Sequence, residues 1–174
     1  MDIRKETERM KRIIIYALAI LAIFSFSVNI SAAAGAKSEM GSMQATLAPD
    51  FTLKDLSGNN VTLSSFKGKK VLLVFGATWC PYCVAEIPDL NAFYNKHQDK
   101  DVKVIDVDIQ ESAAKVTAFA QKHNIKYTVL LDSDGKVANK YNVYGIPANF
   151  IIDENGMIKY SGPRPEDGFE SLLK

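Results

Sequence analysis

Trp79-Cys-Pro-Tyr-Cys83, set just behind a run of strand-forming residues, constrains this chain more than any other stretch. Val71 to Phe75 is apolar and rich in β-favouring side chains, the pattern of a buried strand. The chain leaves it through Gly76-Ala-Thr-Trp79 and enters a pattern that starts a helix at Cys80. Cys80 and Cys83 are the only cysteines, and their spacing puts both sulfurs on one face of a first helical turn, within bonding reach. A thiol there feels the positive end of the helix dipole and unpaired backbone N–H groups, which favour the thiolate. Pro81 lacks only an N–H that the first turn leaves unpaired anyway. The thiolate is the attacking species in disulfide exchange. The local physics therefore points to a redox-active dithiol.

Other uses of two cysteines fit less well. A structural bridge across so short a loop removes little unfolded-state entropy. A metal site needs more soft ligands, and His97 and His123 lie far off on polar helix faces, where surface positions are expected. Covalent haem attachment wants a histidine directly after the second cysteine, where this chain has Val84.

The 174 residues suggest one domain plus an appendage. With 21 basic and 20 acidic residues the net charge is +1, so nothing electrostatic favours nucleic acid. The appendage comes first. Arg4, Lys5, Arg9, Lys11 and Arg12 precede an apolar run from Ile13 that fades by Ile30, and Ala34-Gly35-Ala36 supplies small residues for a signal peptidase. Residues 1–36 thus read as a signal peptide or, since 13–30 can span a bilayer, as a membrane anchor. Positive-inside logic leaves the rest of the chain outside the cytoplasm in either case. Residues 37–47 read as a linker, and 48–174 as the folded domain.

Within that domain, Ala48 to Leu53 and Val61 to Leu63 flank a Ser57-Gly58-Asn59-Asn60 turn as a hairpin. Ser64 to Gly68 reads as a short helical turn. The helix from Cys80 runs on to Tyr94, with Pro88 expected to kink it. Val102 to Ile109 and Tyr127 to Leu131 read as strands, and Ser112 to His123 and Val137 to Tyr141 as helices. Asn149 to Ile152 and Met157 to Tyr160 form a second hairpin around Asn155-Gly156, and Phe169 to Leu173 a closing helix. The expected architecture is α/β: a central mixed sheet flanked by helices, with an N-terminal hairpin.

From Ala48 onward the pattern resembles the thioredoxin superfamily, and within it the exported TlpA/ResA-like branch. Ala48-Pro-Asp-Phe-Thr-Leu and Leu63-Ser-Ser-Phe-Lys-Gly-Lys match that branch and the peroxiredoxins. Trp79-Cys-Pro-Tyr-Cys83 occupies the active-site position, followed by Glu86 and Pro88, and Tyr144-Gly-Ile-Pro-Ala-Asn-Phe-Ile-Ile-Asp153 resembles the cis-proline loop with its strand. Val102 to Leu131 resembles the helix–strand unit inserted in this branch. Peroxiredoxins are not built around Trp-Cys-x-x-Cys, and glutaredoxins, which share the Pro-Tyr spacer, lack this insert and export segment.

The resemblance implies thiol–disulfide exchange without a bound cofactor or metal. Cys80, at the exposed first helical position, is the expected nucleophile, and Cys83, a turn deeper, the resolving thiol. Glu86 lies three beyond Cys83 and can carry its proton. Thioredoxin places a buried aspartate where this chain has Val74, which leaves Glu86 as the best carrier. Pro147 is the expected cis-proline, Ile146 offers backbone groups to an extended partner, Trp79 shields the sulfurs or fills the core, and Pro81 and Tyr82 form the spacer. The expected partners are exported protein disulfides, such as those of apocytochrome c, and a membrane thiol-transfer protein that donates electrons. A monomer is expected. A disulfide-donating oxidase and a non-catalytic binding or assembly module, marked by a buried or unreactive Cys80, are the alternatives.

Overall fold

The computed structural model of the protein describes residues 46–98 and 100–173. The expected export segment and nearly all of the expected linker lie outside the described residues. Among those described, no helix is long and apolar enough to cross a membrane. The elements in chain order are β1 (Thr46–Leu47), β2 (Thr52–Asp55), β3 (Asn60–Thr62), β4 (Lys70–Gly76), α1 (Pro81–His97), β5 (Val102–Ile109), α2 (Ala113–Lys122), β6 (Thr128–Asp132), α3 (Lys136–Lys140), β7 (Ala148–Ile152) and β8 (Met157–Gly162). Two 3-10 turns, Leu63–Phe66 and Phe169–Leu173, complete the set.

One mixed sheet runs in the order β1-β8-β7-β4-β5-β6-β2-β3. The pairs β4–β5 and β5–β6 are parallel, each crossing over through a helix, while β4–β7 and β7–β8 are antiparallel. The central strand β4 alternates between two apolar layers. Val71, Leu73 and Phe75 enter a layer with Ile105, Leu130, Phe150, Val137 of α3 and Tyr141 just after it. Leu72 and Val74 enter the opposite one with Leu90 and Phe93 of α1, Val116 of α2, and Phe169. A strand covered on both faces has no polar side to show, which is why 71–75 is a continuous apolar run. Burying one side chain the size of Phe93 stabilises by roughly 1.5–3 kcal/mol.

The thioredoxin-like α/β architecture is as expected, with local departures. Ala48 to Phe51 is not strand: Pro49 has no N–H to give a ladder, and Asp50 Oδ1 instead accepts from the Phe51 and Ser64 N–H groups at 3.0 and 2.9 Å. The sheet begins earlier, at Thr46–Leu47, which pairs with β8 through Thr46↔Ile158 and Leu47↔Met157. Helix α1 continues through Pro88 to His97, beyond the expected end at Tyr94. Its last residue is also a correction. His97, expected at the surface, is buried, stacks on Phe93, and meets the Glu170 carboxylate at 3.0 Å. The closing 3-10 turn folds over the end of α1 and covers it, a contact between segments far apart in sequence. His123 is half-buried against the Phe119 ring.

Helix α3 depends on one buried carboxylate. Asp132, the last residue of β6, is fully buried and accepts from the Val137 and Ala138 N–H groups at 3.2 and 2.8 Å. These are first-turn donors that the helix cannot satisfy itself. Asp132→Ala leaves them buried and unpaired, and is expected to lower stability by roughly 2 kcal/mol. Urea denaturation should show a lower midpoint at unchanged slope; an unchanged midpoint contradicts the role.

Candidate redox site

Strand β4 ends at Gly76, and a three-residue loop carries the chain to the start of α1. Glu111, after β5, grips that loop: its carboxylate accepts from the Thr78 N–H at 2.6 Å and the Thr78 hydroxyl at 2.8 Å, and pairs with Lys115. Burial pushes the Glu111 carboxyl up, but the bonds from Lys115, Thr78 and Asp108 outweigh it and hold the group below its ordinary value. Cys80 is then the N-cap of α1, in extended backbone geometry, with Pro81 at the first helical position. The Cys83 N–H donates to Cys80 Sγ at 3.1 Å. The two sulfurs form a disulfide, with Cα atoms 5.3 Å apart.

A second loop approaches from the other side. The Ile146–Pro147 peptide bond is cis, and the Ile146 carbonyl oxygen lies 3.8 Å from Cys80 Sγ. Cys80 is consequently only 3% exposed, whereas an exposed nucleophile was expected; Cys83 is half-buried. The loop that covers Cys80 comes from 66 residues further along the chain, so local helix position could not reveal it. Trp79 departs from the core alternative in the opposite sense: it is 67% exposed. With Tyr82 and Tyr144, also largely exposed, it lines a groove of about 460 Å³ that includes Cys80 and Ile146. Tyr144 was not singled out from the sequence; its only signal was an aromatic residue two positions ahead of Ile146. A second groove, of about 620 Å³, is lined by Tyr141, Tyr144, Pro147 and Phe150. The expected residues Trp79, Cys80, Pro81, Tyr82 and Ile146 thus line one groove, and Pro147 lies in the other.

Beneath the disulfide the site is acidic. Glu86, three residues past Cys83, is buried, and its Oε2 has no hydrogen-bond partner. Burial raises its carboxyl above the ordinary value; the Asn149 amide and the Arg164 guanidinium partly offset this, and Asp89 adds to it. Two residues of β5 join it. Half-buried Asp106 is pushed up to about 7, by burial and then by the charge of Glu86. Asp108 is pushed up to about 8, by burial and then by Glu111 and Asp106. Sequence reasoning passed over Asp106, Asp108 and Glu111, although acids at alternate positions of an apolar strand were a usable signal. Among the described residues, no group of three His, Cys, Asp or Glu side chains could hold a metal ion.

Carboxyls raised by folding stabilise the native state below their unfolded value and lose that contribution as pH climbs through the folded value. For Asp108 the window runs from its ordinary 3.8 to about 8. Asp108→Asn should therefore raise the urea midpoint at pH 8 relative to the parent, with a smaller difference at pH 5. A difference independent of pH contradicts this account.

The AhpC/TSA family model matches residues 45–161. The chain is 32% identical to the thiol-disulfide oxidoreductase ResA of Bacillus cereus over 94% of its own length and 96% of that protein's. Its structure is similar to the thioredoxin domain of a thiol-disulfide oxidoreductase from Bacteroides vulgatus, with TM-score 0.69 and 28% identity over 74% of this chain and 94% of that one. It is also similar to a secreted Mycobacterium tuberculosis disulfide oxidoreductase homologous to DsbE, with TM-score 0.61 and 28% identity over 70% and 90% of the two chains. A family match over more than half of the chain, around a bonded Trp-Cys-x-x-Cys pair, makes it a member of the AhpC/TSA family within the thioredoxin superfamily and a thiol-disulfide oxidoreductase of the ResA/DsbE type.

Proposed function

We propose that the protein works outside the cytoplasm as a reductant of disulfides in exported proteins, the cysteines of apocytochrome c among them. The observation that carries this reading is the pairing of a helix-capping Cys80 with a buried, unpartnered Glu86 beyond Cys83. In the reduced enzyme, the Cys83 N–H and the helix N-terminus stabilise a Cys80 thiolate. That thiolate attacks a substrate disulfide. A Cys80–substrate disulfide forms, and one substrate sulfur leaves with the electron pair. Cys83 then gives its proton to the Glu86 carboxylate and attacks Cys80 Sγ. The Cys80–Cys83 disulfide forms, and the second substrate sulfur leaves as a thiolate, which the proton held by Glu86 neutralises. Two electrons pass from enzyme to substrate, and a membrane thiol-transfer protein restores the dithiol.

Ile146 and Pro147 serve recognition. An extended substrate segment pairs with the backbone of the loop beside Cys80, while Trp79, Tyr82 and Tyr144 supply aromatic surface for its flanking side chains. The burial of Cys80 is the mark expected of a non-catalytic module, but the Cys80–Cys83 disulfide and the oxidoreductase relatives favour catalysis. A substrate then enters beside the Ile146 loop that lies against Cys80. The apolar run at 13–30 fits export or anchorage, and a similar protein is described as secreted. The chain acts as a monomer.

Insulin reduction tests the chemistry. Cys80→Ser should fall to the uncatalysed background; equal rates for parent and variant overturn the assignment. Glu86→Gln should slow exchange near neutral pH by about a hundredfold, the usual size of a proton-transfer contribution. An unchanged pH–rate profile removes Glu86 from the mechanism.

A further inference from the structure

The residue of β4 beneath the start of α1 is Val74, and both of its neighbours across the sheet are polar. Asn149 of β7 pairs with it on one side and Asp106 of β5 on the other. Val74 packs in the same layer as Leu72, Val104 and Ile151. Asn149 and Asp106, two residues from Ile151 and Val104 along their strands, share that face. The three form one row under Cys83 and Glu86. Glu86 Oε2 has no hydrogen-bond partner, and the Asn149 amide lies close enough to the Glu86 carboxyl to favour its ionised form.

Asp106 also reaches the second sulfur's surroundings. A Cβ placed on Gly76 would lie 3.5 Å from Cys83 Sγ and 3.7 Å from Asp106 Oδ1. The carboxylate and the resolving sulfur thus border the same small space, open because residue 76 carries no side chain. Glu86 acts on the same region. Burial and then its charge raise Asp106, and burial followed by the charges of Asp106 and Glu86 raises the Tyr127 hydroxyl. The surrounding ionisable groups are Asp89 on α1, Asp108 on β5 with Glu111 and Lys115 beside it, Tyr127 ahead of β6, Tyr160 on β8, and Arg164 beyond it. Two coupled carboxyls in a desolvated site resist ionising together and titrate as a pair.

We propose that Asp106 is a positioning residue for the resolving step, holding one proton in common with Glu86 beneath Cys83, so that the pair and not Glu86 alone governs loss of the Cys83 proton. This rests on Glu86 being the proton acceptor. With Asp106 neutral, Glu86 can ionise without an adjacent like charge and accept the Cys83 proton as the thiolate attacks Cys80. The site then passes to two neutral carboxyls beside a developing sulfur anion. Once the substrate thiolate has left and taken the proton, the pair again holds one. If Asp106 were ionised as well, the thiolate would form against a standing negative charge.

The test is the pH dependence of Cys83 attack on a mixed disulfide preformed at Cys80 with thionitrobenzoate, followed by release of the coloured thiolate. The parent should titrate in two coupled steps. Asp106→Asn should leave a single step, displaced downward by about one pH unit, a tenfold change in the acid–base equilibrium. Asp106→Asn/Glu86→Gln should show the non-additivity of one shared proton. If Asp106→Asn overlays the parent while Glu86→Gln flattens the profile, this inference falls and the role of Glu86 stands. If neither variant changes the profile, both fall. Should Asp106→Asn fail to fold, carboxyl-carbon NMR titration of the reduced parent decides: Asp106 and Glu86 must titrate in common biphasic curves, and an independent Asp106 step overturns the proposal.

Discussion

A backbone N–H aimed at a sulfur is the constraint on which the rest of the site depends. Cys83 N–H meets Cys80 Sγ at 3.1 Å only because Cys80 is the N-cap of α1. It caps α1 only because β4 stops at Gly76 and the following loop is held by Glu111. Loosening the loop would move the cap and, with it, the helix terminus that favours a thiolate. Burial of β4 in two apolar layers gives this arrangement a rigid base.

The same base works against stability at its upper end. Glu86, Asp106 and Asp108 are acids that folding makes harder to ionise, and partners are missing at Glu86 Oε2 and Asp108 Oδ1. Carboxyls desolvated in this way destabilise the native state near neutral pH. They lie under the reactive sulfurs, where a raised proton affinity suits proton exchange with a thiol. Asp132 and Glu111 show the contrasting use, each carboxylate accepting backbone N–H bonds and fixing a local structure.

Local patterns made much of this legible in the chain. The continuous apolar run of β4, the Cys-Pro start of α1, and the Asp153 to Gly156 turn each carry their signal within a few residues, and each formed where expected. What was missed depends on distant segments meeting. The exposure of Cys80 is decided by the Ile146 loop and the burial of His97 by the Phe169–Leu173 turn. The acid row needed strand register as well: that Asp106 flanks Val74 follows from the β4–β5 alignment, which no single segment encodes. Valine at 74 pointed to Glu86 on the helix as the replacement acid, but not to Asp106 on the adjoining strand.

The reduction potential of the Cys80–Cys83 pair, measured by equilibration with defined thiol buffers, tests the central claim most directly. A reductant supplied by a membrane thiol-transfer partner should lie near thioredoxin, at about −270 mV. A value near about −120 mV would mark a strong oxidant, and contradict both the direction of electron flow and the cytochrome substrate.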